Sequence, residues 1–118
     1  MPGVPDRVIV PKSRLCFAVN VRDLTIQAVN PGYALLLGKR NVVGQPLTDF
    51  FDGPDLEKLI EIFGEVAETG KPFTTDPMSV RASDYRGEAE DQFVHTIVPI
   101  HGKDGSKARR LFIYTEKV

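Results

Sequence analysis

The feature that most restricts the fold is a change of apolar period at Gly70. Upstream, "GPDLEKLIEIFGEVAETG" sets Leu56, Leu59, Ile60, Phe63, Val66 and Ala67 at i, i+3, i+4, i+7 spacing, with Glu57, Lys58, Glu61, Glu65 and Glu68 mostly on the other side. One helix with a single buried face follows. Pro54 suits its first position, Asp55 and Glu57 suit its electropositive N-terminal end, and Gly70 can take the left-handed conformation that stops it. Downstream the period is two. Phe73 to Ala82 (weakened by Pro77), Gln92 to Ile100 and Ala108 to Glu116 each read as a strand, the last two joined across "GKDG", Gly102 to Gly105.

The N-terminal half supplies two more strands and shorter helices. Leu15 to Val21 and Leu24 to Val29 are apolar β-type runs around Arg22 and Asp23, a hairpin-like pair. "VNPGYALLLG" then reads as a helix of about two turns. Asn30 can cap it, Pro31 has the pre-set φ of a first helical residue, and Gly38 can end it. So short a helix is unstable alone, because its nucleation cost is not recovered, and it has to be held by packing. "NVVGQPLTDFF" reads as a loop and another short helix. Two strands, several helices and three strands in this order predict an α+β domain: an antiparallel sheet with helices on one face. Its expected extent is residues 14–118, after an extended lead-in over 1–13 that Pro2, Pro5 and Pro11 keep out of helix and ladder alike.

Composition removes several classes of function. The 118 residues hold 15 Lys plus Arg against 16 Asp plus Glu, so there is no cationic excess to neutralise a phosphate backbone, and no nucleic-acid partner is expected. Lys107, Arg109 and Arg110 read as a solvated hairpin end. Cys16 is the one cysteine, which rules out an internal disulfide framework and a cysteine-built zinc site, and no metal site is expected. No apolar run of signal-peptide or bilayer-spanning length occurs, so the expected location is cytoplasmic, away from membranes.

Four words in this order and spacing resemble the PAS domain family. They are "VRDLTIQAVNPGYALLLG" for the second strand and capped short helix, "VVGQPLTDFF" for the step after it, "VAETGKPF" for the end of the long helix, and "IVPIHGKDG" for the fourth strand and its turn. The resemblance covers residues 15–118, and the closing "YTEKV" departs from the Asp-Val-Thr ending common in the family. It implies a five-stranded antiparallel sheet with short helices and one longer helix cupped over one face. Members of the family commonly sense a small molecule in that cup and pair through the other face of the sheet. Many hold no ligand and serve only for dimerisation or docking.

Alternation sorts the strand residues. In "FVHTIVPI" one face takes Phe93, His95 and Ile97 and the other Val94, Thr96, Val98 and Ile100; in the last strand Phe112 and Tyr114 share one face and Leu111, Ile113 and Thr115 the other. By the family's pattern Phe93, His95 and Ile97 face the cup, matched by Phe112 and Tyr114, which leaves Val94, Thr96, Val98, Ile100, Leu111 and Ile113 as an outer face. That face is apolar where a solvated back should be polar, so a homodimer or partner contact is expected there. Leu36, Leu37, Phe50 and Phe63 complete the candidate pocket, although helical spacing already explains them as core. Asn30 is expected to be a structural cap. An imidazole and a phenol in an apolar wall suit a ligand site, but the first expectation is that His95 and Tyr114 satisfy each other or the backbone in a filled core.

Cofactor classes sort by subtraction. Cys16 lies on the first strand and "VVGQPLTDFF" has no cysteine, which disfavours the cysteinyl-flavin photochemistry of light-sensing members; no histidine lies on the long helix, which disfavours haem. A noncovalent flavin or other small organic ligand remains compatible. Asp91 and His95 on one strand face lie about 13 Å apart, too far to act as orienter and base, and no nucleophile elbow or phosphate loop occurs. The expectation is a sensory and regulatory domain without catalysis that acts on an effector in trans. A ligand-free dimerisation module is the main alternative, and a small enzyme using His95 as base the remote one.

Overall fold

A computed structural model describes residues 15–36, 41–82, 91–101 and 108–118. Strands β1 (Leu15–Asn20) and β2 (Ile26–Val29) come first, followed by helix α1 (Pro31–Leu36), a 3₁₀ turn (Leu47–Asp49) and the two-residue β3 (Phe51–Asp52). Helix α2 (Leu56–Thr69), β4 (Phe73–Thr74), β5 (Arg81–Ala82), β6 (Phe93–Ile100) and β7 (Arg110–Lys117) complete the order. Five strands pair antiparallel in the order β2-β1-β7-β6-β4, and β3 pairs with β5 in a separate ribbon. This is the α+β sheet-and-helices architecture expected from the order of the segments. The lead-in, Gly38 and the "GKDG" turn lie outside the described residues.

Local chemistry accounts for the elements. Asn30 is fully buried, and its Oδ1 accepts the Tyr33 N–H at 3.1 Å, which caps α1 and aims it across the sheet. Helix α2 starts at Leu56, two residues after Pro54, and ends at Gly70, whose φ of 70° is the left-handed stop and whose N–H donates to the Val66 carbonyl. It buries Leu59, Phe63 and Val66. Asp55 does not cap it; its carboxylate accepts the Ser79 N–H at 2.9 Å and ties the helix start to the chain entering β5.

The strand expected over Phe73 to Ala82 is two strands in two sheets. Phe73 opposes Ile97 and Thr74 opposes Thr96, but Met78 rather than Pro77 bridges Phe93, so one extra residue sits between them. Pro77 has no N–H to give the ladder, and the bulge around Asp76 and Pro77 frees the chain to leave β6 and pair with β3. At the crossing, Gly53 with φ of 131° lies against the Ser79 carbonyl, where any side chain would collide.

The two margins of the main sheet differ: one is partly covered, the other short and exposed. Along β2, the Ile26 N–H donates to the Gln45 carbonyl and the Gly44 N–H to the Ile26 carbonyl, so the loop after α1 covers the strand's start. Margin strand β4 has two residues, bounded by Pro72 and the bulge at Pro77. The core fills the inner face: Phe17, Val19, Ile26, Ile97, Leu111 and Ile113 from the sheet meet Tyr33, Phe50, Phe51, Leu59 and Phe63 from the elements over it.

Candidate functional site

On β6 the alternation is as the sequence sets it: Phe93, His95 and Ile97 are buried inward, while Val94, Thr96, Val98 and Ile100 are half-buried on the outer face. On β7 the faces are reversed from expectation. His95 opposes Thr115 and Ile97 opposes Ile113, whereas Thr96 opposes Tyr114 and Val98 opposes Phe112. Directly opposed residues share a face, so Phe112 and Tyr114 belong to the outer face, and Leu111 and Ile113 belong to the core. The physical reason is register. A slip of one residue turns a whole strand over, and β7 is apolar on both faces, so hydrophobicity alone does not choose between them. Phe50 and Phe63 are buried in the core cluster; Leu37 and the side chain of Leu36 lie outside the described residues.

The phenol near His95 is therefore Tyr33, which α1 carries over the sheet. Its Oη donates to Thr115 Oγ1 at 2.6 Å, and Thr115 Oγ1 lies 3.0 Å from His95 Nδ1. The relay joins α1, β7 and β6 inside the cup. Tyr33 is further clamped between Phe17 and Phe51, with ring centroids 5.2 and 5.8 Å away. Sequence gave no sign of Tyr33 as more than a helix residue; Thr115 could have been found had Leu111 and Ile113 been turned inward.

Electrostatics are set by burial. His95 is 3% exposed, and desolvation of its charged form holds the imidazole down to about 4 from 6.5, so the ring is neutral at pH 7. Burial pushes the Tyr33 phenol well above its ordinary value against the opposing pull of the Thr115 hydrogen bond. The His95 Nε2 atom is buried with no hydrogen-bond partner among the described residues. The His95 backbone is held firmly: its N–H donates to Thr75 Oγ1 at 3.1 Å, and its carbonyl accepts the Thr75 N–H at 2.9 Å. Thr75 and Met78 also line a cleft of about 100 Å³ beneath α2.

The arrangement holds and orients more readily than it reacts. Asp91 pairs with Lys117 at 3.3 Å, and the ring nitrogen of His95 that is bonded meets a hydroxyl, not a carboxylate. Among the described residues no group of three His, Cys, Asp or Glu stands together as metal ligands. Cys16 opposes Tyr114 and so faces outward, away from the cup, and burial pushes its thiol up to about 11; it does not fit a role as a cofactor-bonding thiolate inside. No helix among the described residues is long and apolar enough to cross a membrane.

On the outer face Val98 and Ile100 of β6 and Phe112 and Tyr114 of β7 are half-buried, the two rings lying 6.2 Å apart, while Cys16 and Ala18 of β1 on the same side are fully buried.

No protein-family model matches the sequence, and no curated protein matches it. Solved structures do match. The PAS-B domain of Drosophila melanogaster Cycle with bound ethylene glycol superposes at TM-score 0.67 with 13% identity, over 88% of this chain and 99% of that one. The PAS domain of the histidine kinase ThkA matches at TM-score 0.59 with 20% identity, over 87% and 97% of the two chains. A sensory box sensor histidine kinase from Vibrio cholerae matches at TM-score 0.63 with 14% identity, over 90% and 79%.

Proposed function

Because this chain has the PAS fold, we propose that it is a sensory and regulatory domain, without catalysis of its own, that takes a small ligand in the cup. The observation that carries the reading is the Tyr33–Thr115–His95 relay, which ends in a buried, partnerless nitrogen within apolar walls. Ligand sites commonly combine a mostly apolar lining with a few fixed polar groups. Ethylene glycol bound in the Cycle domain and the sensor kinases among the similar structures support the same reading.

The signal leaves by the outer face. The loop after α1 covers the start of β2 and β4 offers an edge of only two residues, so a second copy or an effector in trans meets the side chains of Val98, Phe112 and Tyr114 rather than a long strand edge. Ligand binding shifts the population of arrangements of the short helices on the sheet, and the outer face reports it. A ligand-free interaction module is the second reading, favoured by the close ring packing of Phe17, Tyr33 and Phe51. Native mass spectrometry and an absorption spectrum of freshly purified protein decide between them. A bound small molecule is expected; an empty dimer would overturn the sensory reading in favour of the second.

A further inference from the structure

Hydrogen-bond accounting in the buried relay assigns its protons. Thr115 Oγ1 has one proton and two lone pairs, and its partners are Tyr33 Oη and His95 Nδ1. Suppose first that Nδ1–H donates to Thr115 and Thr115 to Tyr33: the phenol proton and the Nε2 lone pair are both left over. If Tyr33 and Nδ1–H both donate to Thr115, the threonine proton and the Nε2 lone pair are left over instead. If Tyr33 donates to Thr115 and Thr115 to Nδ1, one group alone is left, the Nε2–H. Tyr33 is 2% exposed and His95 3%, so solvent cannot serve the leftover groups, and buried polar groups pair wherever geometry allows. The last arrangement therefore holds, and the atom without a partner is a donor.

Resting on the sensory reading above, we propose that the cup receives a small uncharged molecule through a hydrogen-bond acceptor of the carbonyl class, held by the Nε2–H of His95. A buried water is held by roughly two to four polar partners, and Nε2 is the one buried side-chain nitrogen or oxygen without a partner among the described residues. An acceptor on an apolar body pairs the donor and suits Ile97 and Ile113, the apolar neighbours of His95 on the same face of the sheet. An anion is not suited: the buried polar residues described are Asn30, Thr75, His95 and Thr115, with no lysine or arginine to balance a charge. Thr115 acts as the positioning residue: its proton goes to Nδ1, which fixes the ring nitrogen that carries the other proton, and so which ligand chemistry fits.

The test uses the whole chain, 15N-labelled, with cyclopentanone as acceptor probe and methylenecyclopentane as its apolar counterpart. Long-range 1H–15N spectra near pH 7 are expected to show the Nε2–H tautomer of His95, and cyclopentanone to shift the Nε2 resonance. Thr115→Val removes the proton donated to Nδ1 and is expected to admit the Nδ1–H tautomer, whereas Tyr33→Phe leaves that proton in place and is expected to keep the Nε2–H tautomer. His95→Leu is expected to weaken cyclopentanone binding at least tenfold while leaving methylenecyclopentane within about threefold. An Nδ1–H tautomer in the wild-type chain, or equal loss of both probes in His95→Leu, overturns the proposal. If either result accompanies a bound molecule in native mass spectrometry, the acceptor assignment fails and the sensory reading stands. If neither probe binds and no molecule is carried through purification, both fail.

Discussion

The burial of His95 makes a quantitative prediction about pH. In the folded chain the imidazole titrates near 4; in the unfolded chain it returns to about 6.5. Between those values the unfolded state binds more protons, so stability is fully present above the unfolded value and is lost as pH falls toward 4. At about pH 5 the unfolded ring is almost wholly protonated and the folded ring almost wholly neutral, which amounts to a loss of about 2 kcal/mol relative to pH 8. Urea unfolding of the wild type and of His95→Leu at these pH values isolates the effect, since the leucine variant keeps every other titrating group. The wild type should lose about 2 kcal/mol more than the variant on acidification, with an unchanged dependence on urea. Parallel pH profiles for the two proteins would mean that the ring is hydrated or paired in the folded state. The assignment of a desolvated, partnerless imidazole would then be wrong.

Two further changes address the frame around the site. Gly53→Ala drives a Cβ into the Ser79 carbonyl at a φ that L-residues avoid, so it should cost about 3 kcal/mol or more by uncoupling β3 from β5, read as a lowered urea midpoint; an unaffected midpoint refutes the close crossing. Val98→Glu places a charge opposite Phe112 on the outer face and should leave a folded monomer by circular dichroism and light scattering. A molecular mass unchanged from that of the wild type would count against association through that face.

Much of the frame was legible in the sequence because it is written locally. Asn30 caps α1 within three residues, Gly70 stops α2 where the period changes, and β6 alternates along its whole length. What could not be read was parity between distant segments. Nothing local says whether Tyr114 or Thr115 opposes His95, since β7 is apolar on both sides and the choice is made by pairing register. The relay suffered for the same reason: Tyr33 and Thr115 are 82 positions apart, and only the fold brings the phenol to the hydroxyl. The split of the Phe73 to Ala82 segment was half-legible, because Pro77 marks a weak point without saying that the chain beyond it joins another ribbon.

The short, partly covered margins of the main sheet bear on how such domains can live together. A protein gathered into clusters, or strung in series along one polypeptide, meets its own copies at very high local concentration. Where a sheet ends in a run of unpaired backbone, crowding of that kind invites strand-by-strand growth into fibres. Here the loop at Gly44 and Gln45 occupies one border, and Pro72 and Pro77 truncate the other to two residues. With so little free backbone on offer, side-chain contacts are favoured between crowded copies; these separate again on dilution, and single substitutions strengthen or weaken them by degrees.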